Sequence, residues 1–404
     1  METAARSHTV YAARWGVLVA YALLALVLQL QWLTFAPIAR EAMTVYGASQ
    51  FQVDFLSLIF MGVFVVMCIP ASYVIDRWGI RVGVGLGAVL MAVFGIVKGL
   101  GASSYTVVAA AQVGLAVAQP LVLNATTKLA AQWFPMKERA TAVGIASLAQ
   151  FLGIIVVMLV TPALVAKSDA GIDLRPVMLL YGGLSAGAAV LVLLLVRERP
   201  PTPPGEEPAE ARPLSWAAVR AMLGQRDMRL VMGLFLIGLG VFNALSTCID
   251  QLCALSGLSA DDTGMVGGIM FITGIVGAAI LPAISDRRRR RKPFLVLAMA
   301  VMTPALLGLT LASGYLPLLL ASAVLGFFLL GAGAPIGFQY AAEVSYPAPE
   351  SMSQGAILLV GQISGILFIV GINLVGIIPF MWLFVGLGAL ATLIAAAMRE
   401  SPRV

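Results

Sequence analysis

The chain sets amides and hydroxyls where lipid would tolerate neither. The stretch LQLQWLTF, Leu28 to Phe35, lies within an apolar run from Trp15 to Ile38, yet it carries Gln29, Gln31, Trp32 and Thr34. Further along, apolar runs contain Gln112, Gln119 and Asn124, then Gln150, then Asn243, Ser246, Thr247, Asp250 and Gln251, then Gln339, then Gln362. An unpaired amide in hydrocarbon is costly, so each of these faces protein or a water-filled cavity. Amides, hydroxyls and an indole bind solutes and break no bonds. They suit a small neutral molecule or an organic cation, which over a desolvated Trp face gains up to ~2 kcal/mol. No Lys, Arg, Asp or Glu falls at the centre of a run: Asp54 opens the second, Lys98 closes the third and Asp250 lies toward the outer end of the seventh. The usual mark of a proton relay or anion site is therefore missing. The plainer readings are glutamines that bond helix to helix, Trp32 as an interface anchor, and Asp54 and Asp250 as outer-rim residues.

The elements that must position these groups are membrane helices. Hydrophobic residues make up 60% of the 404 and charged ones 11%, with a mean hydropathy of +0.98, against the roughly 25% charge of a soluble domain. Runs long enough to cross a bilayer number twelve: 12–38, 52–75, 82–101, 105–131, 141–165, 176–196, 229–254, 262–284, 293–313, 316–341, 353–374 and 376–398. The first is too long for a signal-peptide core and has no cleavage site after it. Cys68, Cys248 and Cys253 form no disulfide or zinc pattern, and His8 is the single histidine, so no metal or other cofactor is expected. With both termini in the cytoplasm, every Lys and Arg except Arg40, Lys98, Lys167 and Arg175 falls on the inner side, as the positive-inside rule requires. The run RRRRRK at Arg287 to Lys292 reads as part of that rule rather than as a nucleic-acid site.

A Pro- and Glu-rich stretch, Arg197 to Arg229, interrupts the pattern. Its second half places Trp216, Val219 and Leu223 on one face behind a possible cap at Ser215, the pattern of a short interfacial helix. The chain thus divides into a six-span half at 1–197, a cytoplasmic linker at 198–228 and a second six-span half at 229–404. The halves repeat. IDRWGIR, Ile75 to Arg81, has a counterpart in SDRRRRR, Ser285 to Arg291; Pro135, Glu138, Gln150 and Gly153 match Pro347, Glu350, Gln362 and Gly365 in spacing. A duplicated six-helix unit is the mark of a transporter with its substrate site near the midplane. Asp76 ends a helix at its negative pole and needs Arg77, Arg81 or another helix N-terminus to hold it, while Gly79 permits the tight turn.

The D-R-x-G-x-R loop at Asp76, Arg77, Gly79 and Arg81 resembles the signature of the major facilitator superfamily, and Asp286 and Arg287 keep part of it. That resemblance implies a gate on the cytoplasmic side, and a cavity lined by the first, fourth, seventh and tenth spans with the fifth and eleventh beside it. The stretches RWGVLVAYALLALVLQLQWLTF, GLAVAQPLVLNATTKLAAQWF, FNALSTCIDQL and EVSYPAPESMSQGAILLVGQISGILF are similar to the feline leukaemia virus subgroup C receptor-related transporters. The resemblance implies facilitated transport of choline and ethanolamine, with haem as a further proposed cargo. It makes Trp32, Gln119 and Gln362 the binding residues, with Gln31, Asn243, Gln150 and Phe35 around them. Where the family has an aromatic in its seventh span, this chain reads Phe242, Asn243, Ala244, which leaves two readings: a cargo smaller or more polar than choline, or a second ring supplied by Phe242 or Phe35.

The expected protein is all-α, with twelve transmembrane helices in two six-helix halves. It is expected to move a small organic solute, choline-like or ethanolamine-like, by alternating access without an energy source. The competing reading is a proton-coupled permease for a metabolite, organic acid or drug using Asp54 or Asp250. A receptor that has lost transport is a weaker reading, and no nucleophile–base set or phosphate loop suggests an enzyme. The partners implied are the solute and the bilayer, with the chain a monomer. Short loops, Arg over Lys and abundant Ala and Gly point to a prokaryotic source and so to a plasma membrane.

Overall fold

In the computed structural model the described residues are 9–168, 171–202, 204, 216–345 and 350–401. They form fifteen α-helices: α1 (Ala13–Trp32), α2 (Ala39–Tyr46), α3 (Gln50–Leu100), α4 (Tyr105–Leu123), α5 (Thr126–Trp133), α6 (Met136–Leu164), α7 (Arg175–Leu195), α8 (Trp216–Gly224), α9 (Arg226–Ala254), α10 (Ala260–Arg288), α11 (Lys292–Leu311), α12 (Tyr315–Leu325), α13 (Ala334–Val344), α14 (Glu350–Val375) and α15 (Ile377–Ala397). A two-stranded hairpin, β1 (Ala166–Ser168) with β2 (Gly171–Asp173), joins α6 to α7.

Eleven helical stretches are long and apolar enough to cross a membrane. One of them, α3, has 51 residues, about 75 Å at 1.5 Å per residue and so more than twice the hydrocarbon thickness. It is interrupted at Gly79, where φ is 90°. That conformation is open mainly to glycine, so α3 is two crossings joined by a turn, and the twelve spans are all present. Side chains such as Ile69, Leu374 and Leu393 are largely exposed, an outer surface suited to lipid.

Three spans depart from the continuous helices expected, the fourth being interrupted at Asn124 and Ala125 between α4 and α5. The first breaks after Trp32, passes through a 3-10 turn at Ala36–Ile38 and resumes as α2. Pro37 is the cause: it has no N–H for the Leu33 carbonyl, its ring crowds that carbonyl, and it disfavours helix at Ala36. The tenth contains a π-helical segment, Gly326–Gly333, between α12 and α13. The linker helix is present as α8, with Leu223 exposed and Met222 buried. The proposed cap Ser215 and His8 lie outside the described residues, as does Pro347 of the repeat.

The chain packs as two compact units. The first is Met1–Trp32, Val63–Ile154 and Leu164–Ala211; the second is Leu33–Gly62, Ile155–Ala163 and Arg212–Val404. The second unit therefore takes in Leu33–Gly62, which follows the break at Trp32, and Ile155–Ala163 of α6, beyond the six spans of the second repeat.

Candidate solute-binding site

In the first unit the polar groups gather around the end of α1. Gln29 and Gln31 are buried, and Trp32 is 7% exposed. The Gln29 side-chain amide donates to Oε1 of Gln150 on α6 (3.3 Å), and that of Gln31 to the Ser185 hydroxyl on α7 (3.0 Å). The helix stops at Trp32, one residue past Gln31. Lys98 Nζ donates to the Gln31 carbonyl oxygen at 3.3 Å, and Gln112 Nε2 on α4 lies 3.5 Å from the same oxygen. Lys98 also reaches Gln112 Oε1 at 3.4 Å and is wholly buried. A cation at a helix C-terminus complements its dipole, so Lys98 anchors the backbone next to Trp32. Lys98 lies in the last turn of α3, so it closes the third span as expected while its side chain turns inward. The signal for this arrangement was Pro37, which predicts the break, together with a lysine one helix away.

Gln119, seven residues and about two turns beyond Gln112 on the same helix, is also buried. Its Oε1 has no hydrogen-bond partner among the described residues, and neither has Oε1 of Gln29. Asn124 plays a bracing part instead, since its amide donates to the Cys68 carbonyl (3.0 Å) and the Ser72 hydroxyl (2.9 Å), tying the fourth span to the second.

In the second unit α9 carries Asn243, Ser246, Thr247 and Asp250 at the i, i+3, i+4, i+7 spacing of one helix face, all buried. Asn243 Nδ2 donates to the Gly361 carbonyl on α14 (3.2 Å). Gln362 Oε1, Ser246 Oγ and Thr247 Oγ1 are buried with no partner among the described residues. Neither candidate second ring stands alone. Phe35 is buried and packs edge-on with Tyr46, centroids 6.4 Å apart; Phe242 packs edge-on with Phe271 at 5.6 Å and lines a small apolar cavity with Phe235, Leu295, Met299 and Leu330.

The two acids lie near the ends of their helices, α3 and α9, and are buried and bonded within the protein. Asp250 is held by Arg40 through both guanidinium and backbone: Nη2 to Oδ1 at 2.8 Å, Nε to Oδ1 at 3.0 Å and the Arg40 N–H to Oδ2 at 3.1 Å. Arg40 Nη2 also donates to the Leu258 carbonyl at 2.8 Å. Asp54, 2% exposed, accepts from Gln251 Nε2 (2.7 Å), Asn373 Nδ2 (2.8 Å) and Gln50 Nε2 (3.1 Å).

The signature loops are built differently from expectation. Asp76 is held by Lys128, whose Nζ lies 3.1 Å from Oδ1 and 2.7 Å from the Ile75 carbonyl, and not by Arg77 or Arg81. The lysine meets the carboxylate and the helix C-terminus together, answering both charges at once. Glu198 Oε2 accepts from the Arg81 N–H (3.0 Å), capping the helix after Gly79. In the second copy Asp286 pairs with Arg291 rather than with the adjacent Arg287, and Arg291 reaches on to Glu343 at 3.4 Å.

This chain belongs to the Major Facilitator Superfamily, whose profile matches residues 17–369, and it is a multi-pass membrane transporter, not an enzyme. Within that class it resembles the feline leukaemia virus subgroup C receptor-related transporters. It is 31% identical over 381 residues to solute carrier family 49 member A3 of Danio rerio, covering 91% of this chain and 79% of the relative. It is 27% identical to the human choline/ethanolamine transporter FLVCR2 over 94% of this chain and 76% of that one. Among solved structures, a bacterial homolog of the human lysosomal transporter Spinster superposes with a TM-score of 0.76 at 16% identity, over 96% of this chain and 97% of that one.

Proposed function

We propose that this transporter carries a small amino alcohol of the ethanolamine and choline type by facilitated diffusion. The observation that carries the reading is the pair of buried amide oxygens on Gln119 and Gln362 that have no partner among the described residues, at the positions the resemblance assigns to the solute. Each would accept a hydrogen bond from a ligand's hydroxyl or ammonium, removing the desolvation penalty of a bare buried acceptor. Trp32 offers the cation a π face, and Lys98 and Gln112 hold the backbone beside it. With Asn243 in place of a seventh-span aromatic, and Phe35 and Phe242 packed against other rings, fewer faces are left for three methyl groups. An ammonium that can itself donate hydrogen bonds suits amide oxygens better, so ethanolamine is favoured over choline.

Transport into proteoliposomes tests the reading. Labelled ethanolamine is expected to equilibrate down its gradient, with choline a weaker competitor, and Gln119→Ala is expected to weaken both. Absence of ethanolamine flux from protein shown to be folded by its thermal transition sinks the proposal. A proton-coupled permease is the competing reading, and the buried Asp54 favours it. Accumulation driven by an imposed pH gradient, and lost in Asp54→Asn, would decide for that reading. The two-half organisation, with the termini in the cytoplasm of a plasma membrane and a monomeric working unit, belongs to the same proposal.

A further inference from the structure

Between α10 and α11 five consecutive arginines precede Lys292, and they divide into two groups. Arg291 turns inward: it is 9% exposed and bonded to Ser285, Asp286 and Glu343. Arg287 to Arg290 are exposed. Topology alone asks for positive charge here and does not ask for a shape, yet a shape is present. Arg289 adopts a left-handed conformation, φ 50°, which ends α10 and reverses the backbone. On either side of it, Arg288 and Arg290 line one open surface cavity of about 410 Å³ together with Pro293, Phe294 and Leu297. That volume is within the ~300–1,000 Å³ of small-ligand sites.

The cavity has a cationic wall and an apolar wall. Leu297, more than a turn into the membrane helix α11, is 43% exposed. The nearby acids do not neutralise the arginines. Asp286 and Glu343 are engaged by Arg291, and Glu400 Oε1 accepts from the backbone N–H groups of Arg291 (2.7 Å) and Lys292 (3.0 Å). The start of α11 is therefore already capped, and two guanidinium forks are left as the anion-binding groups. Such forks match a phosphate's oxygens in geometry and charge. An anion that also covers exposed leucine at the edge of a membrane helix is a lipid.

We propose that this cavity binds the phosphate of an anionic glycerophospholipid from the adjacent leaflet, with its glycerol and first acyl carbons against Phe294 and Leu297. The site is independent of which solute the protein carries.

Purified, delipidated full chain titrated with phosphatidylglycerol, bound lipid being counted by native mass spectrometry, tests this. Binding of phosphatidylglycerol over phosphatidylcholine is expected, weakened about tenfold or more in Arg288→Gln/Arg290→Gln, which removes charge-assisted bonds. The control Arg289→Gln/Lys292→Gln removes equal charge from the same loop and is expected to bind nearly as well as the unaltered chain. Leu297→Asn is expected to weaken the lipid as well. Equal losses in the two double variants would mean diffuse charge attraction and overturn the site. Glycerol phosphate competing at the concentrations at which phosphatidylglycerol binds would overturn the lipid assignment.

Discussion

The two repeats cross their helices in the same way and wire the crossings differently. In the first, α6 meets α1 at Gly153, where a Cβ would overlap the backbone carbonyl oxygen of Leu26, and Gln150, three residues earlier, is bonded to Gln29. In the second, α14 meets α9 at Gly365, where a Cβ would lie 2.8 Å from Cβ of Asn243, and Gln362 occupies the place of Gln150. There, however, Asn243 donates to a backbone carbonyl, leaving Oε1 of Gln362 without a partner among the described residues. The signature loops differ in the same sense. The side chain of Asp76 is 76% exposed beside Lys128, whereas the side chains of Arg291 and Glu343 are 11% and 10% exposed. Duplication has preserved where backbones touch. Which polar groups are satisfied within the protein, and which remain available to a ligand, has diverged.

The largest contrast is expected at the loops. Arg291→Met leaves Glu343 buried without its cation and is expected to cost about 3–5 kcal/mol. Lys128→Met breaks an exposed pair, for which about 0–1 kcal/mol is the usual scale. Thermal transitions of the purified variants, read side by side, check this; equal shifts would mean that the loops are energetically equivalent.

Next come the crossings. Gly153→Ala pushes against fixed backbone and is expected to cost about 1–3 kcal/mol, the scale of overpacking. Gly365→Ala meets Cβ of Asn243, a side-chain atom that Asn243→Gly removes, so pairing the two is expected to recover stability. Gln29→Ala is not expected to rescue Gly153→Ala, because the obstacle there is the Leu26 carbonyl. Rescue in both repeats, or in neither, contradicts this distinction.

Trp32→Ala is expected to weaken amine binding about thirtyfold, the equivalent of ~2 kcal/mol of desolvated cation–π attraction. Isothermal titration with ethanolamine measures it, and unchanged affinity would remove Trp32 from the site. The smallest effects separate the twin glutamines. Gln150→Ala is expected to cost about 0.6 kcal/mol of stability, the average for an interhelical hydrogen bond in a membrane, with affinity kept. Gln362→Ala is expected to lose about fivefold in affinity, one hydrogen bond's worth, with stability kept. The reverse pattern would exchange their roles.

Much of the fold was legible in the chain. Span length depends on local hydrophobicity, and each span except the first, fourth and tenth lies within one helix near its expected place. Gly79 was legible as the turn between spans because only a residue without a Cβ adopts its φ readily. The break after Trp32 was equally available, written in Pro37, but an apolar count passes over a proline. The site was legible as a list of polar residues and not as a set of pairings. Gln29, Gln112, Gln119, Gln150 and Gln362 look alike in sequence, since each is an amide in an apolar run.

What the sequence alone determined is the class: the hydrophobic spans, their duplication, the signature loop and the family these resemble. All of these follow from composition and spacing along one chain. Tertiary structure decided that Gln29 meets Gln150, that Lys98 meets the Gln31 carbonyl, that Arg40 meets Asp250, and that the Gln119 and Gln362 acceptors meet no partner among the described residues. The physical reason is that a hydrogen bond between helices depends on the rotation and depth of both partners to within an ångström. Neither quantity is carried by the hydrophobic pattern that places each helix in the membrane.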